Sequence, residues 1–592
     1  MFQTFDATTT PDQGPPRLRA LRDLMASEGW DAALVPRADA HQGEYVAPCD
    51  ARLEWLTGFT GSAGFAVITR DEAALFVDGR YTVQGRAQTA PEFSIVPWPR
   101  TKLHEWLADR LSGGVLAFDP WLHTVREIEG LRKSLDKQNI EVRPVPNPVD
   151  AIWADRPAPP NAKAFPYPAE LAGKTSGEKR EEIASALRAA GHHTAVITQP
   201  DSIVWLLNIR GADIPRVPVM QAFALIHEDA RADLFCDPAK VADLGPDPAI
   251  AVHEKDALTS ALTFLSGPVR IDPATCPWQV KELLAEAEVE IAEAPDPCAL
   301  PKARKTDAEL EGARNAHRRD AAAMCRFLAW LERQEPGGLT EIGVVTELER
   351  FRSETNQLRD ISFDTIAGAG PNGAIVHYRV TRDTDRTVEP GLLLVDSGGQ
   401  YEDGTTDITR TVLIGDPPLT DERALFTAVL RGMIAISRAR FPKGLAGRDL
   451  DPLARQFLWS KGRDYDHGTG HGVGHYLSVH EGPQRISRVS EVPLESGMIL
   501  SNEPGYYREG AFGIRIENLI VVQPAEAEEG RDFLGFETLT LVPIDRRLID
   551  ADALSRDERE WLDAYHARVA QEIGTLLSGA DRDWLMDATR PL

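Results

Sequence analysis

At 592 residues the chain is too long for one hydrophobic core, so roughly two to four domains are expected. Its 42% hydrophobic and 26% charged residues are ordinary for a globular protein, while 91 acidic against 65 basic side chains leave a net charge of −26, which argues against a general role on nucleic acid or an anionic membrane. There is no run of about 18 uninterrupted apolar residues, no signal-peptide order in MFQTFDATTTPDQGPP and no CxxC pair among the five cysteines, so a soluble intracellular protein with buried, reduced thiols is predicted.

Leu18, Leu21, Leu24 and Met25 set out an amphipathic helix that ends near Gly29, and AALVP at 32–36 reads as a strand. EWLTGF at 54–59 comes next, then strands GFAVIT and AALFVD. From Pro144 to Pro168 the chain holds eight prolines, whose fixed φ and missing N–H groups predict a semi-rigid connector. The pattern then recurs: a helix with Ile183 and Leu187 ending near Gly191, a strand TAVIT at 194–198, VWLLNI at 204–209, then AFALIH and ADLFCD. Two copies of one α/β module are predicted. With a second proline-rich boundary, APDPCALP at 294–301, the predicted domains are 1–160, 161–300 and 301–592.

The third segment opens with a helix, capped by Thr306 and Glu309 in a reciprocal box and carrying Leu310, Ala313, Met324, Phe327, Leu328 and Leu331 at helical spacing. Beyond about residue 360 short strands and glycine-rich turns take over, with helical pattern at 421–440 and 446–459. An α+β domain is predicted.

Within it, acids stand where apolar residues dominate. Asp396 ends the run LLLVD; Asp407 begins a second strand after a Gly/Asp turn, which would set the two carboxylates side by side on one sheet face. Glu503 follows MILSN, and Glu517 lies inside the alternating run GIRIENLIVV, read as one strand. Singly, each acid has an ordinary explanation as a turn or solvated residue. Together, four converging carboxylates repel and require raised pKa values or cations. Two divalent ions would balance them. The stretch HGTGHGVGHYLSVHEG at 467–482 holds four of the 14 histidines, one of which would complete a site of oxygen and nitrogen donors. Such a set suits Mn²⁺ above all, with Co²⁺, Fe²⁺ and Zn²⁺ as alternatives.

The segments VDSGGQYEDGTTDITRT, HGTGHGVGHYLSVHEGP, SNEPGYY and GAFGIRIENL resemble the motifs of the pita-bread metallopeptidases, and among them the three-domain, cytosolic aminopeptidase P type. The resemblance spans nearly the whole chain. Two segments within 35–84, VPRADAHQGEYVAPCDARLEWLTGFTGSAG and FVDGRYTVQ, resemble the family's first domain. HRRDAAAMCRFLAWLE at 317–332 resembles the helix opening its catalytic domain, and WLDAYH at 561–566 its carboxy-terminal extension. It implies two tandem creatinase-N-like α/β domains followed by a pita-bread catalytic domain.

The resemblance also implies roles. Asp396 would chelate one metal, His471 and Glu503 the other, and Asp407 and Glu517 would bridge both. His377 and His480 match positions that contact substrate and stabilise the tetrahedral intermediate, and His467 matches a histidine lining the pocket. Arg515 matches an arginine near the active site. His475 matches no role and is expected at the surface. The implied reaction removes the residue preceding a proline in second position: a hydroxide bridging two divalent metals attacks the scissile carbonyl, and Glu503 passes a proton to the leaving nitrogen. Tyr506 and Tyr507 are candidates for the wall around the proline ring, or packing aromatics. Prolidase carries nearly the same ligands and is the enzyme alternative. A non-catalytic binding module, like the peptidase-like domain of a histone chaperone, is the alternative of another class. A cytoplasmic homodimer associating through the catalytic domain, without nucleic-acid or membrane partners, is expected by analogy.

Overall fold

The structure, a computed structural model, describes residues 1–527 and 530–592. Contacts divide it into two units, Thr8–Lys302 and a second made of Met1–Ala7 with Ala303–Leu592. Among the described residues no helix is long and apolar enough to cross a membrane. All five cysteines are buried and none is paired in a disulfide.

The first unit carries two six-stranded sheets of the same design. In one, the strand order is Phe93–Pro97, Ala73–Val77, Phe65–Thr69, Ala32–Pro36, Gly114–Phe118, Ile140–Pro144; in the other it is Ile250–His253, Ala232–Phe235, Phe223–His227, Thr194–Ile197, Val269–Ile271, Ile291–Glu293. The pairing senses match position by position. The first strand of each is antiparallel to the hairpin that follows it and parallel to the strand reached by a later crossover. The recurrence in the sequence is thus a recurrence of topology. Each preceding helix ends where expected, on Gly29 and Gly191 in the left-handed conformation. EWLTGF and VWLLNI fold mainly as short helices, Arg52–Thr57 and Pro200–Leu206. The proline-rich connector is held down: Trp153 stacks on Trp55 at 5.2 Å, and Arg156 donates to Asp150 and to the Cys49 carbonyl.

The second unit opens with helix α1 (Asp307–Glu332), whose Thr306–Glu309 capping box forms with both reciprocal hydrogen bonds. Helix α2 (Glu341–Ser353) follows. A three-stranded antiparallel sheet joins β1 (Ile366–Ala369), β2 (Gly391–Ser397) and β3 (Ile408–Ile414), with β2 central. Every residue of β2 after its glycine is buried, which explains why its sequence is an unbroken apolar run ending in an acid. Helices α3 (Glu422–Ser437) and α4 (Gly447–Trp459) pack on one another. They precede a larger sheet containing β4 (Gly470–Gly472), β5 (Glu481–Ile486) and β6 (Ile499–Asn502). Next come the hairpin β7 (Gly505–Arg508) and β8 (Phe512–Arg515), then β9 (Asn518–Ala525) and β10 (Phe533–Thr538), which return to the larger sheet. Helices α5 (Arg556–Ile573) and α6 (Gly579–Ala588) close the chain.

Two local expectations are corrected. The turn between β2 and β3 is no simple turn, because Gly399–Tyr401 and Gly404–Thr405 form their own short ladder. Asp396 therefore lies opposite Thr409, and Asp407 just precedes β3 instead of facing Asp396 directly. The run GIRIENLIVV is likewise two strands. Ile516 and Glu517 break it, their N–H groups donating to the carbonyls of Pro504 and Thr409 at 3.3 and 3.1 Å.

Candidate metal centre

The break puts Glu517 where two sheets meet. Its N–H is spent on Thr409 and its Oε2 accepts from the Thr409 hydroxyl at 2.7 Å, so β3 fixes both ends of the residue. Glu503 arrives just past β6, its N–H donating to the Thr469 carbonyl at 2.8 Å and its Oε1 accepting from Ser501 at 3.0 Å. The same serine hydroxyl accepts the His471 N–H at 2.9 Å, tying β6 to β4. Asp396 is held by Arg515, whose Nη2 lies 2.7 Å from its Oδ2.

His471 Nδ1 lies 2.9 Å from the Gly472 carbonyl, so it carries the proton and leaves the Nε2 lone pair for a ligand. That Nε2 faces acids, 3.4 Å from Asp407 Oδ2 and 3.4 Å from Glu503 Oε1. One ligand atom each from Asp407, His471 and Glu517 lie within 4.8 Å of one another.

The donor set fits a metal. Asp396 Oδ1, Asp407 Oδ1 and Glu517 Oε1 are buried and meet no hydrogen-bond donor among the described residues. Buried carboxylate oxygens are ordinarily satisfied, and three orphans in one pocket mark where a cation takes the place of donors. The electrostatics agree. Burial first, and then the Asp396 and Glu503 charges, push the Asp407 carboxyl up to about 6 despite its contact with His471. Burial, then Asp407, Glu503 and Asp396 in turn, hold Glu517 well above the usual carboxylate range. Burial alone would lower His471; its contact with Asp407 and the Glu503 charge outweigh that and raise it to about 9.

Around this cluster the expected residues separate. The His480 ring stands edge-on to His471 with centroids 4.3 Å apart. His467 Nε2 lies 2.9 Å from the Tyr507 hydroxyl, which accepts from Arg515 Nη1 at 2.6 Å, so a continuous chain runs from His467 through Tyr507 and Arg515 to Asp396. His377 lies beside Val376, whose carbonyl accepts from Arg515 Nη2 at 3.4 Å. Tyr506, next to Tyr507 on β7, presents its ring to the opposite side, toward Phe512 and Arg508. His475, expected at the surface, is buried at 2% exposure. It packs beside α1 where Gly312 leaves room; a Cβ at that glycine would lie 3.0 Å from the imidazole. Thr409 and Ser501, which orient Glu517 and Glu503, were not singled out from the sequence, and no local pattern distinguishes them from other hydroxyls.

With the geometry in place, comparison with known proteins is informative. The chain matches the family model for metallopeptidase family M24 over residues 311–524 and that for the C-terminal region of peptidase M24 over 532–592. Two models of the creatinase/prolidase N-terminal domain match 17–152 and 155–309. It is 41% identical to aminopeptidase P2 of Arabidopsis thaliana, over 97% of this chain and 88% of that one. A probable Xaa-Pro aminopeptidase P of Aspergillus niger is 40% identical over 97% and 98% of the two chains. Among solved structures, X-prolyl aminopeptidase from Caenorhabditis elegans, described as a cytosolic enzyme with a di-nuclear active site, superposes with a TM-score of 0.92 at 34% identity, covering 98% of this chain and 99% of that one. The Xaa-Pro dipeptidase from Bacillus anthracis gives 0.51 at 26% identity and covers 63% of this chain and 99% of that one.

Proposed function

The chain belongs to metallopeptidase family M24, in its three-domain aminopeptidase P group, and from that premise we propose that it releases the N-terminal residue from peptides with proline in second position. The observation that carries this reading is the extent of the likeness. A dipeptidase of the family accounts for 63% of the chain, whereas the X-prolyl aminopeptidase accounts for 98%, both N-terminal modules included. We read the chain as domains 1–160, 161–300 and 301–592, except that Met1–Ala7 packs with the last, which carries the chemistry.

The five residues Asp396, Asp407, His471, Glu503 and Glu517 would hold two divalent cations, Mn²⁺ before Zn²⁺ or Co²⁺, with Asp407 and Glu517 shared between them. When bound, such ions supply an activated water at neutral pH and a Lewis acid for the scissile carbonyl. The protein's own groups do the rest. His377 and His480 donate to the developing oxyanion. Glu503, itself one of the five, moves a proton to the leaving imino nitrogen. Proline offers no N–H for recognition, so its ring must be held by shape. His467 and Tyr507, joined at 2.9 Å and anchored by Arg515, furnish a rigid wall for it, whereas Tyr506, turned to the other side, takes no part. The reading extends to a cytoplasmic homodimer. The exposed Trp459, Leu453 and Val489 offer apolar surface on the catalytic unit for that association, and sedimentation showing only a 65.1 kDa species would remove it.

Product analysis with Mn²⁺-loaded protein tests the function. Free arginine released from Arg-Pro-Pro-Gly-Phe, with Ala-Pro and Met-Gly-Phe intact, is the expected result. Cleavage of Ala-Pro alone would make the protein a prolidase. Inertness toward all three, with metal confirmed bound, would replace catalysis by binding.

A further inference from the structure

None of the three proposed catalytic side chains lies within a strand, but His480 directly precedes β5 and Glu503 directly follows β6, whereas His377 is adjacent to no strand. It sits on a loop between β1 and β2, in a segment without regular strand or helix from Ile375 to Pro390. A loop residue asked to meet a developing charge must be fixed by something outside the site.

The structure shows what does this. At the first position of α2, Glu341 is fully buried, yet it pairs with no cation among the described residues. Its Oε1 accepts from the Ala369 N–H at 2.7 Å and from Asn372 Nδ2 at 3.0 Å. Its Oε2 accepts from the Tyr378 hydroxyl at 2.8 Å and the Arg386 N–H at 3.2 Å. These donors come from the start, the middle and the far side of the His377 loop, so one carboxylate gathers the whole segment. The residue before His377 is held by Arg515 and the residue after it by Glu341, leaving the imidazole between two fixed neighbours.

The loop is also clasped from outside by the amino-terminal strap Met1–Ala7, which belongs to this unit. The Gln3 side chain, 1% exposed, makes a pair of hydrogen bonds to the backbone of Thr365: the Thr365 N–H donates to its Oε1 at 2.7 Å and its Nε2 donates to the carbonyl at 3.2 Å. The Phe5 carbonyl accepts from the Arg382 N–H at 2.8 Å, and its ring lies in the unit's core. The strap therefore holds the residue leading into β1, the strand from which the loop departs, and the loop itself at Arg382. A buried carboxylate with only neutral donors is costly to keep for stability alone, since an apolar residue there would avoid the desolvation.

We infer that Glu341 is a positioning residue for His377 and that Gln3 of the amino-terminal strap assists it, so the geometry of the oxyanion donor is set by groups that never touch substrate. This rests on the role proposed above for His377. The test is a double-mutant cycle on the full, Mn²⁺-loaded protein with Arg-Pro-Pro-Gly-Phe, reading kcat, KM and metal content separately. Glu341→Gln is expected to lower kcat about 10-fold, within the ~10²-fold that a 1 Å misplacement can cost, with KM and bound metal unchanged. In the background of His377→Ala it should cost nothing further, because the group it positions is gone. Gln3→Ala should show the same pattern, more weakly. If Glu341→Gln fails to fold, Tyr378→Phe removes only the donor hydroxyl and answers the same question. Losses that multiply in the double mutants would overturn the inference while leaving His377 catalytic. A fully active His377→Ala would overturn both that role and the positioning built on it.

Discussion

Two buried aspartates in the catalytic unit show what separates a structural acid from a functional one. Asp320 on α1 is 3% exposed and Asp407 is 4% exposed. Asp320 meets Arg352, with Nε and Nη2 at 2.8 and 3.1 Å, and accepts the Tyr401 hydroxyl at 2.7 Å. Burial would raise its pKa, but Arg352 and Tyr401 hold it below the usual carboxylate range. Asp407 instead faces other acids and a single imidazole, and is pushed up to about 6. Residue type and burial are shared; only the neighbours differ. One carboxylate is complete within the protein, the other only with something added to it.

The largest effects should fall on the incomplete side. Glu517→Gln or Asp407→Asn is expected to abolish activity, by more than the ~10²–10³-fold that loss of one oxyanion donor costs, together with loss of bound metal. The metal-free Glu517→Gln protein should be no less stable than the metal-free parent, because Gln keeps the shape of the neutral carboxyl that burial and the neighbouring acids favour there. Full activity with two metals per chain would end the ligand assignment. Asp320→Asn should behave in the opposite way. Breaking a buried pair leaves Arg352 uncompensated and costs about 3–5 kcal/mol of stability, while metal binding survives. Urea denaturation of metal-free and Mn²⁺-loaded protein, with metal counted by mass spectrometry, separates the two cases. A stable Asp320→Asn that lost metal would collapse the distinction.

What the sequence disclosed follows the same division. The four acids drew notice as a group because acids are conspicuous in apolar surroundings, while the choice of His471 among four histidines and the ligand roles came only from the family resemblance. The repeated α/β module was legible because periodicity and glycine caps are local. The break at Ile516 and Glu517 was not, because alternation continues through it and only the carbonyls of Pro504 and Thr409, distant in sequence, divert the backbone. The burial of His475 depends on a glycine more than 160 positions away on α1, as a comparison of their numbers shows. Glu341 reads as an ordinary first-turn helix acid, and its loop-gathering role exists only once the chain has closed around it.

A smaller effect should come from the metal itself. A chelator should remove activity and Mn²⁺ should restore it, and at a hundredfold excess over its Kd each ion should add about 2.7 kcal/mol to the folded state. Asp320→Asn should keep this increment and Glu517→Gln should lose most of it, read as the shift in urea midpoint with and without Mn²⁺. An equal increment in both would mean that the ion binds elsewhere.

The finest test uses pH. Asp320, with its pKa lowered in the folded state, contributes stability above its unfolded value of about 4 and loses it only as the pH falls further, so the cost of Asp320→Asn should be flat from about pH 5 to 9. The metal-free cluster titrates in the other direction. Asp407, raised from 3.8 to about 6, and His471, raised from 6.5 to about 9, contribute stability at low pH that is lost as the pH rises through those folded values. Metal binding requires the same groups deprotonated, so it gains what the metal-free form loses. The rise in Tm on adding Mn²⁺ should therefore widen between about pH 5 and pH 9 in the parent and in Asp320→Asn, and flatten in Glu517→Gln. A widening that survived in Glu517→Gln would place the proton-linked metal site somewhere other than among these carboxylates, and the contrast between the two aspartates would then have nothing to do with catalysis.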